Sequence, residues 1–326
     1  MQAVPEQQPL RIAAPPPRLS VVVPLLNEAA TLSPLYDEVQ AALDTAGVEW
    51  EIVYVDDGST DGSYRELVRL HETHSNVRVV RLRRRFGKAA ALAAGFDAAV
   101  GEVIVTIDAD LQDDPAEIPN LLAKLDEGYD IVSGWKRDRR DPLSRRIFSK
   151  LYNSATAVVT GVRLHDMNCG LKVYRAEVLR DVQIYGELHR FVPVLAHHLG
   201  YSATEIPVSH RPRENGRSRY GLERYVRGFF DLLTVAFMGR YRYRPLHLFG
   251  AIGLLLGGIG FAILLYLTAI KLGGAGIGDR PLLMLGILLL VVGIQSFSLG
   301  LVGEMLTSQH EEKARGERRY VRDTLR

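Results

Sequence analysis

An α/β domain on a parallel sheet, followed by a pair of membrane-spanning helices, is the architecture that this 326-residue sequence predicts. Three observations carry the expectation. Between Leu19 and Gly134, short and continuously apolar runs alternate with helical stretches, the pattern of strands covered on both faces. Three of those runs finish in polar or acidic residues, at Asn27 with Glu28, Asp56 with Asp57, and Asp108 with Asp110. Ligands of such sheets bind at the carboxyl ends of strands. Two later runs, Leu246 to Ile270 and Leu282 to Gly303, are each about the 20 residues that a helix needs to cross hydrocarbon.

In chain order, "MQAVPEQQPLRIAAPPPR" (residues 1–18) is polar and Pro-rich, a disordered lead without the pattern of a signal peptide. "LSVVVPLLNEAATL" reads as a buried strand, a Pro-marked break and a helix start. Strands are expected at Glu51–Ser59, Val77–Leu82, Gly101–Asp110 and Asp130–Gly134, and helices at Pro34–Ala46, Tyr64–His71 and Gly87–Val100. Asp113 and Asp114 precede Pro115, where an N-cap and first-turn acids belong. Leu143, Ile147, Leu151, Ala155 and Val158 recur at helical spacing, and so do Leu222, Val226, Phe229, Phe230, Leu233 and Phe237. These segments, about 142–160 and 222–245, are read as helices lying in the membrane interface. The soluble domain then spans 19–221, the hairpin 246–303 and a basic tail 304–326. The Gly-rich "KLGGAGIGDRP" joins the two spans, and the basic residues of both outer flanks outnumber its Lys271 and Arg280. That bias puts the large domain and the tail on the cytoplasmic side of a multi-pass protein of the cell (inner) membrane. The single Cys169 excludes an intrachain disulfide.

"VTIDADLQDDP" places four carboxylates within seven positions, from Asp108 to Asp114, which repel one another unless a cation sits among them. Asp108 and Asp110, one residue apart at a strand end, reach the same side and suit a hard divalent ion, magnesium or manganese. An EF-hand loop counted from Asp108 fails, with Asp113 at the sixth position and Pro119 at the twelfth. "DDGSTDGS" puts Asp56 beside the same cleft, where a carboxylate accepts from a base N–H or ribose hydroxyls. Neither G-x-G-x-x-G nor a Walker loop occurs, which removes support for NAD and P-loop chemistry. Gly87 and Lys88 stand at a helix start, a place for a phosphate contact. "RLRRRF" is basic but accompanied by no nucleic-acid reading motif, so no nucleic-acid partner is expected.

The ordered set "VVPLLNE", "VDDGSTD", "GKAAALAAGF", "DADLQDDP" and "RPRENGRSRYG" before two spans resembles the polyprenyl-phosphate glycosyltransferases of family 2. It is similar to dolichol-phosphate mannose synthase and, more closely, to bacterial enzymes that load glucose or aminoarabinose onto undecaprenyl phosphate. The resemblance runs from about Leu19 to Gly303. It implies a GT-A (Rossmann-like) fold, a nucleotide-sugar donor (UDP-linked, with GDP-mannose as the alternative), Mg²⁺ or Mn²⁺, a polyprenyl phosphate acceptor, inversion at the anomeric carbon and a homo-tetramer.

Carried over by position, Pro24, Leu25, Asn27, Glu28 and Asp56 look like the nucleotide pocket, with Lys88 and Ala109 among the donor contacts. Asp108 and Asp110 look like the D-x-D that grips metal and diphosphate, and Gln112 matches a residue near the sugar. Asp166, in "HDMNCG", falls where the family places a proposed base, although some relatives have a shorter string. Arg213, Gly216, Ser218, Arg219 and Tyr220 match R-x-x-G-x-S-[KR]-Y, the acceptor-phosphate pattern, with Arg219 in place of the usual Lys. A phosphomonoester acceptor is mostly deprotonated at neutral pH, which leaves Asp166 to orient as much as to act as a base. Cations must hold it instead: Arg213, Arg219 and, more weakly, Lys136. Two rival readings are a transferase acting on a hydroxyl and a membrane-anchored binding protein without catalysis.

Overall fold

The computed structural model describes residues 18–137, 156–157, 160–182, 184, 188–211, 230, 233–234, 237, 244–274, 276 and 281–314. The chain divides into two compact units, one up to residue 224 and one from residue 225.

The first unit is built on a seven-stranded sheet in the order β3-β2-β1-β4-β6-β5-β7. Its strands are β1 (Leu19–Leu25), β2 (Trp50–Asp56), β3 (Val77–Arg81), β4 (Val103–Thr106), β5 (Ile131–Trp135), β6 (Lys172–Arg175) and β7 (Ala203–Pro207). The sheet is mixed and not parallel throughout: β6 runs antiparallel to both β4 and β5. "KVYR" and "ATEIP" are too short and polar for their periodicity to reveal them, so β6 and β7 go unannounced in the sequence. Helices α1 (Leu32–Thr45), α2 (Ser63–Thr73) and α4 (Ile118–Asp126) bury Leu35, Leu67 and Leu121 against one face of the sheet. On the other face, α3 (Lys88–Ala98), α5 (Ala176–Asp181) and α6 (Val192–His198) bury Leu92, Val178 and Val192. Neighbouring residues of β1 show the period of two, with Val21 and Val23 in the first cluster and Val22 in the second.

Two boundaries differ from expectation. Pro24 does not break β1 but lies within it. The Leu25 carbonyl faces β2 and accepts from Asp57 N at 2.9 Å, so Pro24 faces the β4 side, where pairing has already stopped at Thr106. Its missing N–H costs no ladder bond there. β4 also ends at Thr106, four residues short of Asp110.

The second unit holds α7 (Pro245–Leu272) and α8 (Pro281–Ala314), packed together as a hairpin. Both are long and apolar enough to cross a membrane. Their large side chains point outward, Leu254 at 69% and Met284 at 71% exposure, whereas Gly250, Gly253 and Gly260 are buried. A β-carbon at Gly253 would lie 2.7 Å from the Gly293 carbonyl oxygen, and one at Gly260 2.6 Å from the Leu290 nitrogen. Glycine thus lets the two backbones touch, as small residues do in lipid. At the open end Leu246 N, in the first turn of α7, donates to Glu304 Oε2 at 3.2 Å, a carboxylate at a helix N-terminus. Helix α8 continues past residue 303 to Ala314, into the segment read as tail. The expected interfacial helices at about 142–160 and 222–245 lie largely outside the described residues.

Candidate active site

The carboxyl ends of β1, β2 and β4 meet at one edge of the sheet, and the loops that follow them build the site. On the β1–β2 flank, Asn27 adopts φ +59°, a left-handed conformation uncommon outside glycine. Its side-chain oxygen accepts from Thr60 N at 2.8 Å, while its own N–H donates to Ser59 Oγ at 2.9 Å. Glu28 N donates to Ser63 Oγ at 2.9 Å. Asp56 is fully buried: its Oδ1 accepts from Ser59 N at 2.8 Å, but its Oδ2 has no hydrogen-bond partner among the described residues. Among the described residues Arg81 forms an ion pair with that oxygen, at 3.6 Å. A buried acceptor without a donor is costly, and a ligand N–H would satisfy it. Asp57 turns away and accepts from Phe86 N at 2.6 Å and Gly87 N at 2.9 Å, fastening the arginine-rich loop to the turn. Gly58 (φ +76°) lies where a β-carbon would be 2.7 Å from Arg84 C and Arg85 N. Gly58, Ser59, Arg81 and Arg84 line an open cleft of about 690 Å³ beside Asp56.

On the β4 flank, Asp108 and Asp110 sit in the loop beyond the strand, so the alternation of a strand does not set their directions. Asp108 forms an ion pair with Lys88, the first residue of α3, and both side chains are about a third exposed. Asp110 Oδ1 accepts from Gln112 N at 3.3 Å, and Leu111 between them is forced to φ +57°. Ala109 is buried beneath this turn. Asp114 caps the following helical turn by accepting from Ala116 N at 3.1 Å, as its position before Pro115 predicts. Asp113 does not cap. It is 1% exposed and lies 2.6 Å from Lys136 Nζ and 3.5 Å from His210 Nδ1. Burial pushes the Asp113 carboxyl up, but His210 and Lys136 outweigh burial and hold it at about 2. Burial pulls the Lys136 ammonium down, and Asp113 outweighs it, leaving it raised. Lys136, expected among the acceptor cations, is therefore engaged in the interior of the site.

Asp166 is buried in the loop before β6, where its Oδ1 accepts from Asn168 N at 3.1 Å. Glu205 of β7 holds the start of that loop by accepting from His165 N at 2.9 and 2.8 Å. Thr106 Oγ1 donates to the Gly170 carbonyl at 2.8 Å, which brings the 167–170 segment to Asp108. Together they border a second cavity, of about 170 Å³, also walled by Lys88, Lys172, His189 and Arg190. Burial pushes the Cys169 thiol up to about 12, so it is protonated and no nucleophile. Arg213, Ser218 and Arg219 lie outside the described residues.

The structure thus gathers Pro24, Leu25, Asn27, Glu28, Asp56, Lys88, Asp108, Asp110, Gln112 and the Asp166 loop around the ends of adjoining strands. Sequence reasoning missed the Asp113–Lys136–His210 cluster and the Lys172, His189 and Arg190 wall. Only the isolated charge of Lys172 in "CGLKVYR" hints at the latter. Among the described residues no group of three or more His, Cys, Asp and Glu side chains stands ready for a metal.

A Rossmann-like mixed sheet with a D-x-D loop beyond a central strand defines the GT-A class of glycosyltransferase fold. The chain belongs to glycosyl transferase family 2, whose model matches residues 20–183, and it is a glycosyltransferase. It is 42% identical to dodecaprenyl-phosphate galacturonate synthase of Rhizobium johnstonii, over 88% of this chain and 87% of the relative. It is 36% identical to undecaprenyl-phosphate 4-deoxy-4-formamido-L-arabinose transferase of Edwardsiella ictaluri, over 94% of each. Among solved structures, glucosyl-3-phosphoglycerate synthase of Mycobacterium tuberculosis, crystallised with Mn²⁺, UDP and phosphoglyceric acid, superposes with a TM-score of 0.52. That match has 21% identity and covers 68% of this chain and 78% of the other, a likeness of fold.

Proposed function

We propose that the protein transfers a sugar from a UDP-sugar to a polyprenyl phosphate at the membrane surface, with inversion at the anomeric carbon. The observation that carries the reading is the combination, in one chain, of a D-x-D loop beside a buried, donor-seeking Asp56 with a lipid-compatible hairpin. The names of the two relatives, both polyprenyl-phosphate enzymes matched over most of their length, support the acceptor class.

In this reading Asp56 Oδ2 accepts from the base N–H, and the residues around Asn27 and Ser59 shape the nucleotide seat. Lys88 stands against the donor diphosphate. Asp108 and Asp110 would hold a divalent cation, Mg²⁺ or Mn²⁺. They are hard oxygen donors, and Asp108 already holds a cation in the form of the Lys88 ammonium, so the place favours positive charge. Such an ion supplies stabilisation of the negative charge on the leaving nucleotide diphosphate. A phosphate oxygen of the acceptor attacks the anomeric carbon as the bond from that carbon to the diphosphate oxygen breaks. That oxygen carries no proton at neutral pH, since the second pKa of a phosphomonoester is about 6. Asp166 therefore orients the reacting groups, and Arg213, Ser218 and Arg219 supply the acceptor-phosphate contacts. The basic flanks of the hairpin favour a catalytic unit on the cytoplasmic face.

The test is sugar transfer from labelled UDP-sugars to undecaprenyl phosphate, with Mg²⁺, Mn²⁺ or EDTA, for wild type and Asp110→Ala. A labelled lipid that requires both the metal and Asp110 is the expected product. Nucleotide binding with no lipid product from any donor would overturn the acceptor assignment.

A further inference from the structure

We propose that the transferred sugar is a hexuronic acid, and that Lys172, His189 and Arg190 read its carboxylate in the cavity behind Asp108. The proposal rests on the sugar-transfer reading above and names its substrate class.

Cavity size comes first. At about 170 Å³ the space is well below the roughly 300 Å³ at which pockets for whole organic ligands begin. It suits one polar ring substituent and its surroundings, not a nucleotide diphosphate. Position comes second. Lys172 is the register partner of Thr106 on β4 and so lies two residues deeper in the sheet than Asp108. Asp108 and Lys88 occupy the mouth and pair with each other. A donor held at the mouth by its diphosphate presents its sugar inward.

Charge then decides what the interior accepts. Lys172 is 4% exposed. Its ammonium donates to the carbonyls of Met167, at 3.3 Å, and Cys169. No carboxylate lies within ion-pair distance of it among the described residues. Burial pulls the Lys172 ammonium below its ordinary range, and the attraction of Asp166 and Asp108 from a greater distance does not make up for it. The His189 Nδ1 is likewise buried with no hydrogen-bond partner among the described residues, and burial pulls that imidazole down to about 2, so it is neutral and can donate a hydrogen bond. Arg190 adds a guanidinium to the same wall. A neutral hydroxymethyl group would leave Lys172 without a carboxylate in contact, whereas a carboxylate would pair with it and take the imidazole N–H as well. Specificity follows from this asymmetry, because a site built around a polar partner strongly rejects the analogue that lacks it.

The experiment compares kcat/KM for UDP-galacturonate and UDP-glucuronate with UDP-galactose and UDP-glucose, using the full-length protein in nanodiscs with undecaprenyl phosphate. Wild type is expected to prefer at least one uronate by about 100-fold over its neutral counterpart. Arg190→Gln and Lys172→Met are each expected to lower that ratio by about 10- to 100-fold. Arg190 is only partly buried, so its variant keeps the test open should Lys172→Met fail to fold. Wild type transferring neutral hexoses as well as uronates would overturn the carboxylate assignment while leaving the transferase reading intact. Variants that lower uronate and hexose transfer in equal proportion would assign these side chains to the diphosphate and overturn it too. Absence of transfer from every nucleotide-sugar would overturn the transferase reading and this proposal together.

Discussion

The two flanks of the cleft are held in place by different forces. On the nucleotide flank, Asp56, Asp57 and Asn27 bind backbone N–H groups of neighbouring turns, and neutral hydroxyls complete the set. On the D-x-D flank three acids face cations: Asp108 meets Lys88, Asp113 meets Lys136 and His210, and Asp114 meets Arg211 at 3.1 Å. Arg211 also reaches Glu38 at 2.8 Å. The first flank is fixed mainly by local hydrogen-bond geometry, to which the Arg81–Asp56 contact at 3.6 Å adds an ion pair. The second is an electrostatic assembly of acids and cations paired across the loop. Perturbing charge should therefore damage one flank, and perturbing backbone space should damage the other.

The largest expected effect is at the exposed end of the charged flank. Asp110→Asn should lower sugar transfer to undecaprenyl phosphate by about 1,000-fold, with a much smaller change in UDP affinity measured by calorimetry. Next comes its buried end. Asp113→Asn leaves Lys136 without its counter-ion and should cost about 3 kcal/mol in detergent-solubilised thermal unfolding. The pH dependence has a definite sign. Because the folded carboxyl titrates at about 2 and an unfolded one near 4, the Asp113 contribution is whole above about pH 4 and is lost as pH falls toward 2. The acid limb of the wild-type stability profile should flatten in that window in the variant. If the variant keeps the wild-type limb, Asp113 is not the group that anchors this flank.

On the other flank the sensitive element is steric. Gly58→Ala asks alanine to adopt φ +76° and to press on the backbone of Arg84 and Arg85. A destabilisation of about 2 kcal/mol is expected, accompanied by weaker UDP binding and little dependence on salt. Smallest is Asp114→Ala, which removes a cap and should cost about 1 kcal/mol without abolishing transfer. A salt titration sharpens the contrast, since its effect on activity should fall on variants of the charged flank and spare Gly58→Ala.

What the sequence discloses follows the same division. The polar ends of the first, second and fourth strands are written in contiguous strings, so Asn27, Asp56, Asp108 and Asp110 are legible, and so is the Asp114 cap before Pro115. Asp113 belongs to the same string and has the same chemistry, yet it is pinned by residues 23 and 97 positions away, which no local pattern reports. Strand β6 escapes for a similar reason. Four residues gain their identity as a strand only when β4 and β5 are there to flank them, and with β6 comes Lys172, the floor of the inner cavity. The hairpin is legible by length and apolarity alone, whereas its glycine contacts depend on which faces of two helices meet.

Those contacts limit where a hydrocarbon guest can travel. A β-carbon at Gly293 would already lie 2.5 Å from the Gly257 nitrogen, so the seam between the helices has no width to lend. A hydrocarbon chain cannot thread between them and meets the pair only at its outer surface, where side chains such as Leu254, Leu265 and Met284 are exposed. The pair is a solid post and not a sleeve, closed to hydrocarbon along its seam.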